Sequence, residues 1–226
     1  MNLIDIKESH LDDASVLCLL ESVENNLKNS LYKYLPFSHW IFNDIFPKRI
    51  VDELLKLPFQ PPKIERYTGK RESNNQTRIF FNKKNCEKFK VINDVVKVFN
   101  NHRIINQLEN LCGRDMKKGK LRIEYTIDTG DFWLKPHLDI REKLLTFIVY
   151  LSKDSKSSEW GTTIYNPDLT IHSQVPYRSN LGLMFNAGIN TWHGVPKKNI
   201  KGIRKNLIVN YVTDEWRRIH ELAPAN

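Results

Sequence analysis

Two residues of one short segment, His137 and Asp139, could act together as metal ligands. They lie two positions apart, so in an extended strand the imidazole and the carboxylate would point to the same side. His193, in a later Trp-His-Gly segment, can supply a second imidazole if a returning strand brings it across. Two imidazoles and one carboxylate on one face of an octahedral ion leave the opposite positions open, an arrangement that suits non-heme Fe(II).

A cationic side chain, Arg204, follows His193 in a segment rich in β-branched residues, 203–212. This composition predicts a strand. Alternation along the strand would put Arg204 and Asn206 on one face. A guanidinium there could bind a carboxylate with two parallel hydrogen bonds, which a flexible lysine does less well. The sequence therefore offers three iron ligands and a carboxylate anchor.

Each of these signals has an ordinary structural explanation when it is taken alone. A His-x-Asp pair in a strand can lie on the surface, and a Trp-His-Gly segment can be a turn with a packed aromatic ring. The combination of three possible ligands with an arginine in the following strand is more specific, and it predicts a metal site.

Around these residues the chain resembles the 2-oxoglutarate/Fe(II)-dependent dioxygenases, in particular their prolyl-4-hydroxylase-like branch. The similar segments cover most of the chain beyond about Leu35 and span residues 37–47, 121–125, 132–140 and 190–211. The resemblance implies a double-stranded β-helix (jelly-roll) core and a bound Fe(II). It also implies 2-oxoglutarate and O₂ as co-substrates, with ascorbate as an accessory reductant.

The resemblance also implies roles for residues around the co-substrate. Tyr125 and Tyr150 match positions at which relatives place a tyrosine against the distal carboxylate of 2-oxoglutarate, the group that Arg204 would bind. Asn206 shares the face of Arg204 and is expected to contribute to the same site. For both tyrosines a place in the core is the alternative, because a buried tyrosine needs only one partner for its hydroxyl.

Three features are candidates for binding the prime substrate: Trp133, Arg141 and the polar segment Tyr67–Asn85. Loops on a rigid scaffold often carry specificity, so we interpret the segment as a lid, with a solvated loop as the alternative. Arg141 could bind a carboxylate or phosphate of the substrate. A surface ion pair with Glu142 or Glu124 is the competing interpretation.

The reaction implied by the resemblance is hydroxylation of an aliphatic C–H bond, with release of succinate and CO₂. The substrate would be a small molecule or a protein or peptide residue. Related halogenases lack the ligand carboxylate, so the presence of Asp139 favours hydroxylation. Desaturation, epoxidation and ring formation use the same intermediate and stay open.

Two other functions compete with this interpretation. Nucleic-acid demethylases of the same superfamily share the ligand pattern but have an Arg-x-Asn-x-x-x-Arg strand, whereas position 210 here is Asn. A non-enzymatic jelly-roll binding module would not need His137, Asp139, His193 and Arg204 together.

Composition limits the class of protein. The 226 residues fit one domain, 1–226, with residues 1–35 as an N-terminal helical extension. No apolar run approaches the ~20 residues of a membrane span, and the first residues lack the pattern of a secretory signal. Three scattered cysteines without a CxxC pair predict reduced thiols and a cytoplasmic protein. The net charge of +9 is spread widely, which favours a solvated basic surface over a nucleic-acid partner.

The order of the predicted elements indicates an α+β fold, with N-terminal helices packed on the jelly-roll core. Helical periodicity appears over Asp12–Leu31 and in three later segments before Lys120, after which strands dominate. The near-continuous apolar run from Leu144 to Leu151 predicts a strand buried on both faces. Residues 128–131, Asp-Thr-Gly-Asp, predict a turn.

Overall fold

Five helices precede most of the strands in the computed structural model, which describes residues 14–70, 72–154 and 156–225. They are α1 (Ala14–Lys28), α2 (Lys48–Leu55), α3 (Lys83–Lys88), α4 (Lys90–Phe99) and α5 (His102–Cys112). The helix predicted over Asp12–Leu31 ends at Lys28, and Asp12 and Asp13 lie outside the described residues. As its position predicts, Gly113 ends α5 in the left-handed conformation, with φ of 66°.

The strands form two antiparallel sheets. In chain order they are β1 (Leu31–Lys33), β2 (His39–Phe42), β3 (Arg78–Phe80), β4 (Lys120–Gly130), β5 (Leu134–His137), β6 (Lys143–Tyr150), β7 (Thr163–Tyr165), β8 (Ile171–Gln174), β9 (Gly182–Asn186), β10 (His193–Val195) and β11 (Ile200–Val212). The larger sheet has the order β1-β2-β9-β6-β11-β4-β3, and the smaller one has the order β5-β10-β7-β8.

The last eight strands build the double-stranded β-helix predicted from the sequence. Four of them, β4, β11, β6 and β9, are neighbours in the larger sheet, and the other four make up the smaller sheet. An apolar cluster joins the sheets, with Ile148 and Leu183 from the larger one and Ile164 and Val195 from the smaller one. The space between the sheets is therefore the interior of the jelly roll.

Strand alternation divides the side chains of the larger sheet between two cores. Where β4, β6 and β11 pair in regular register, the odd-numbered residues, such as Phe147 and Leu207, pack against the helical layer. Lys143 lies beyond a register shift at the start of β6 and lines the cavity between the sheets instead. Even-numbered residues, such as Thr126, Ile148 and Asn206, face the smaller sheet. Because both faces are covered, β6 is apolar along most of its length, as the sequence predicted.

The predicted turn at residues 128–131 was wrong in its first residues. β4 continues to Gly130, and Asp128 lies within the strand, opposite Arg204 of β11. The physical reason is that β11 extends over thirteen residues and provides a pairing partner for this part of β4. The preference of these residues for a turn contributes less free energy than the backbone hydrogen bonds of a long strand pairing.

The segment Tyr67–Asn85 is more ordered than the sequence suggested. It contains a 3₁₀ helix, Glu72–Thr77, then β3 and the start of α3. Asn82 caps α3 by accepting a hydrogen bond from the backbone N–H of Asn85. Because β3 pairs with β4, this segment forms the edge of the larger sheet.

The three cysteines form no disulfide. Burial raises the pKa of the Cys86 thiol to about 11, so this thiol stays protonated and unreactive at neutral pH. Within the described residues, no helix has both the length and the apolar character needed to cross a bilayer.

Phe147 provides a test of the core between the larger sheet and the helices. It is fully buried, and its ring centroid lies 5.1 Å from that of Phe42 and 6.2 Å from that of Phe99. We expect Phe147→Ala to lower the free energy of unfolding by about 3–5 kcal/mol, because it leaves a cavity in a dense core. Tyr34→Ala, at a side chain that is 70% exposed, should change it by less than about 0.5 kcal/mol. Equal losses in denaturant titrations of the two variants would contradict this account.

Candidate active site

The pairing of β5 with β10 brings the two predicted imidazole ligands together. His137 and His193 are direct partners across the two strands, and their ring centroids are 4.3 Å apart. Asp139 follows β5 by two residues and turns its carboxylate toward the same point. One ligand atom from each of the three side chains lies within 4.8 Å of the other two. The geometry therefore converges as the sequence pattern predicted.

Both imidazoles are held in the tautomer that a metal needs. Nδ1 of His137 lies 3.0 Å from the backbone oxygen of Lys135, and Nδ1 of His193 lies 2.9 Å from that of Thr191. A carbonyl oxygen can only accept, so each Nδ1 donates a proton, and the lone pair of the neutral ring is on Nε2. Burial, followed by the neighbouring His193, lowers the pKa of His137 to about 3. The ring is therefore neutral at physiological pH, as a ligand must be.

Asp139 is oriented by two side chains of β6. Its carboxylate oxygens lie 2.7 Å from Nζ of Lys143 and 2.6 Å from Oγ1 of Thr146. The hydroxyl of Thr146 also lies 3.0 Å from Oδ1 of Asn210. The ion pair is buried, with side-chain exposures of 4% for Lys143 and 2% for Asp139. These contacts fix the direction in which Asp139 can present an oxygen to a metal.

Arg204 lies in the same cavity as the three candidate ligands. Its Nε donates to the backbone oxygen of Trp160, and its Nη1 donates to Oδ2 of Asp128, each at 2.7 Å. Next to it on the same face of β11, Asn206 donates from Nδ2 to Oγ1 of Thr126 at 2.7 Å. Oδ1 of Asn206 is buried and has no hydrogen-bond partner within the part of the chain that the structure describes. The predicted anchor and its neighbour thus share the cavity with the ligands.

The charges that line the cavity are balanced. Three cationic and three anionic side chains contribute to its wall, namely Arg78, Lys143, Arg204, Glu124, Asp128 and Asp139. A divalent metal would add two positive charges to this neutral set. The loaded cavity would then be electrostatically complementary to a dianion such as 2-oxoglutarate. The donor set and the charge both fit an iron ion with this co-substrate.

Comparison with solved structures finds this architecture in proteins of low sequence identity to this chain, three of which illustrate the range. A prolyl-4-hydroxylase from Pseudomonas putida matches with a TM-score of 0.54 and 12% identity over 86% of this chain and 93% of that one. A prolyl hydroxylase from Trichoplax adhaerens, in complex with a hypoxia inducible factor peptide fragment, matches with a TM-score of 0.56 and 14% identity over 87% and 90%. The α-ketoglutarate dependent epimerase SnoN, from nogalamycin biosynthesis, matches with a TM-score of 0.52 and 14% identity over 86% and 82%.

The chain has the fold of the 2-oxoglutarate/Fe(II)-dependent dioxygenases. No protein-family model and no curated protein sequence matches it. The similarity therefore lies in the three-dimensional arrangement of the strands. At these low sequence identities it establishes the fold and nothing more.

Within this dioxygenase fold, Tyr125 does not lie where the resemblance implied. It is on the odd-numbered face of β4, so it points into the helical layer, where its hydroxyl donates to the backbone oxygen of Leu54 at 3.0 Å. Tyr150 is on the cavity side of β6, but its side chain does not line the cavity. Its hydroxyl donates to Oγ1 of Thr162 and accepts from the backbone N–H of Thr162, both at 2.9 Å. Tyr125 misses the cavity because odd-numbered residues of β4 face the helices. Tyr150 misses it because Thr162 lies between its hydroxyl and the cavity.

The two candidate substrate residues lie outside the cavity. Trp133 donates from Nε1 to the backbone oxygen of Tyr67 at 3.3 Å and packs closely on Gly69. It thus anchors the start of the predicted lid segment. Arg141 is 84% exposed and lies 3.4 Å from Glu215 in an ion pair. The surface interpretation of Arg141 was the better one, although its partner is neither Glu142 nor Glu124.

A buried ionic network that the sequence analysis missed forms part of the cavity wall. Arg78 of β3 binds Glu124 at 2.6 Å, and Glu124 binds Arg122 at 2.9 Å. Arg122 also binds Glu221, near the end of the described chain, at 2.7 Å. Alternation along β4 does place Arg122, Glu124 and Asp128 on one face, and this was the available signal. Their other partners come from distant segments that local patterns do not connect, namely Arg78, Arg204 and Glu221.

Removing any one of the three candidate ligands should weaken metal binding. We expect His137→Ala, Asp139→Ala and His193→Ala each to raise the Kd for Fe(II), measured anaerobically, by more than about tenfold, because a site with only three protein ligands depends on each. His172→Ala, at an exposed histidine of β8, is the matched control and should leave the Kd unchanged. Equal affinities for all four variants would show that the cluster is not a metal site.

Proposed function

We propose that this protein is a 2-oxoglutarate- and Fe(II)-dependent dioxygenase that hydroxylates an aliphatic C–H bond, with release of succinate and CO₂. One observation carries the proposal: two imidazoles and a carboxylate converge in a cavity that also contains a buried arginine. The dioxygenase fold supports it.

Each residue of the site has a role in this proposal. His137, Asp139 and His193 would hold Fe(II) on one face, and the metal would supply the capacity to activate O₂ and to attack an unactivated C–H bond. Lys143 and Thr146 fix the orientation of the Asp139 carboxylate. The hydrogen bonds from each Nδ1 to a backbone oxygen keep Nε2 of both imidazoles in position.

The co-substrate would extend from the metal toward Arg204. The guanidinium would attract the distal carboxylate, and the unpaired Oδ1 of Asn206 could accept a hydrogen bond from an ordered water beside the ligand. Apolar side chains of the wall, including Phe132, Leu134 and Ile148, exclude bulk water from this space. In such a medium, electrostatic contacts to the ligand are stronger than they would be in water.

Two classes of prime substrate are consistent with the fold. The Trichoplax adhaerens protein is in complex with a peptide fragment, and this supports a protein or peptide residue as the substrate here. SnoN comes from nogalamycin biosynthesis and is an epimerase, and this supports a small molecule and leaves the outcome of the oxidation open. Thr77 and Arg78, from the segment Tyr67–Asn85, line the cavity, and this supports a role for that segment in covering such a substrate.

Catalytic competence can be tested without knowing the prime substrate. The iron-loaded protein, supplied with 2-oxoglutarate, O₂ and ascorbate, should convert 2-oxoglutarate slowly to succinate in an uncoupled reaction. His193→Ala should abolish this activity, whereas His172→Ala should retain it. If succinate is not formed above the level of the His193→Ala variant, with or without peptide and metabolite panels, the proposed reaction is wrong.

The role of Arg204 can be tested separately from chemistry. We expect Arg204→Ala to lower the affinity for 2-oxoglutarate by about tenfold or more, because the site loses cationic donors and retains the anionic wall residue Asp128. Anaerobic titration of the Fe(II) protein with 2-oxoglutarate, followed by its visible charge-transfer absorption, measures this affinity. Lys201→Ala, at an exposed residue of the same strand, is the control. An unchanged affinity in the Arg204 variant would exclude Arg204 as the anchor.

A further inference from the structure

The guanidinium that would anchor the co-substrate is already engaged on two of its nitrogens. An arginine binds a carboxylate at two points either through both Nη groups or through Nε and one Nη. Nε of Arg204 carries a single proton and donates it to Trp160, and Nη1 donates to Asp128. The edge that includes Nε is therefore occupied, and a ligand carboxylate at the Nη edge would share Nη1 with the carboxylate of Asp128.

Asp128 is built into this position. It lies opposite Arg204 in the ladder between β4 and β11, and the two side chains are only 2% and 6% exposed. The carboxylate of Asp128 also accepts a hydrogen bond from Thr77 and lies in the field of Arg78. Because it is held from two sides, moving it away from Arg204 would break its bonds to both β11 and the 3₁₀ helix that ends at Thr77.

We infer that Asp128 is a specificity-determining residue for the co-substrate: it competes with the distal carboxylate of a 2-oxo dicarboxylic acid for Arg204. In the wild-type site, the distal carboxylate should therefore add less to the binding affinity than it would add if Arg204 had no anionic partner. This inference rests on the proposed function, because it assumes that a 2-oxo acid chelates the metal.

The alternative is that Asp128 only balances the charge of a buried arginine. A buried guanidinium without a partner is strongly destabilising, so such a pair can exist for folding alone. The two explanations differ in what happens when the carboxylate is removed. Competition predicts that a ligand carboxylate then binds Arg204 more tightly. A pair that serves folding alone, with the distal carboxylate bound away from Arg204, predicts no change in ligand preference.

The test compares 2-oxoglutarate with pyruvate, which keeps the chelating 2-oxo acid group but lacks the distal carboxylate. The affinities of both ligands are measured by calorimetry on the Mn(II)-loaded protein, so that no oxidation occurs. In Asp128→Asn we expect the preference for 2-oxoglutarate over pyruvate to rise at least about tenfold above that of the wild type, the scale of one charge-assisted contact. Asp214→Asn, at an aspartate with a 75% exposed side chain, is the matched control and should keep the wild-type preference.

Each result bears on the inference. An unchanged or lower preference in Asp128→Asn would overturn it. If neither 2-oxo acid binds any metal-loaded form, the proposed function fails, and this inference fails with it. If Asp128→Asn does not fold alone, 2-oxoglutarate with Mn(II) should restore a cooperative thermal transition, because its distal carboxylate binds Arg204. Pyruvate with Mn(II) should not restore it. If the two ligands have the same effect on this variant, the inference is also overturned.

Discussion

The antiparallel pairing of β5 with β10 positions the candidate site. It sets His137 opposite His193 and leaves Asp139 just beyond the end of β5. Side chains alternate along a strand, so a shift of one residue in this pairing would turn one imidazole to the other face. Gly194 helps to fix the register, because a Cβ at that position would lie 2.7 Å from the backbone oxygen of Leu134. The convergence of the three candidate ligands is thus a property of backbone pairing.

A second constraint is that each charged side chain in the cavity wall lies against a side chain of opposite charge. Asp139 lies against Lys143, Asp128 against Arg204, and Glu124 between Arg78 and Arg122. An isolated charge in such a place would cost several kcal/mol. The pairing makes the wall rigid and nearly neutral, so that a bound metal becomes the dominant local charge. Under the proposed function, this charge would attract an anionic co-substrate without any excess of cationic side chains.

The sequence predicted the helices, most of the strands and the convergence of the ligand triad, because each depends on local periodicity or on strand parity. Tyr125 was misplaced because the resemblance transferred a residue type without the register of β4, which turns position 125 toward the helical layer. Asp128 was assigned to a turn because its own neighbours favour one; only the partner strand β11 keeps it extended. Glu221 binds Arg122, 99 positions away, and no local pattern identifies this partner. Lys143 lies only four positions from Asp139, and the sequence analysis overlooked this pair.

The ionic network that ends at Glu221 has a consequence for the order of assembly during synthesis. Arg122 and Glu221 are separated by 99 positions, and their contact closes the network that reaches the cavity through Glu124 and Arg78. While the ribosome is still translating the strands that carry His137 and His193, Arg122 has only part of its counter-charge. The larger sheet is also incomplete at this stage, because β11 lies between β4 and β6 and is translated after His193. The wall reaches electrical balance only after β11 has paired and the segment containing Glu221 has emerged and folded back.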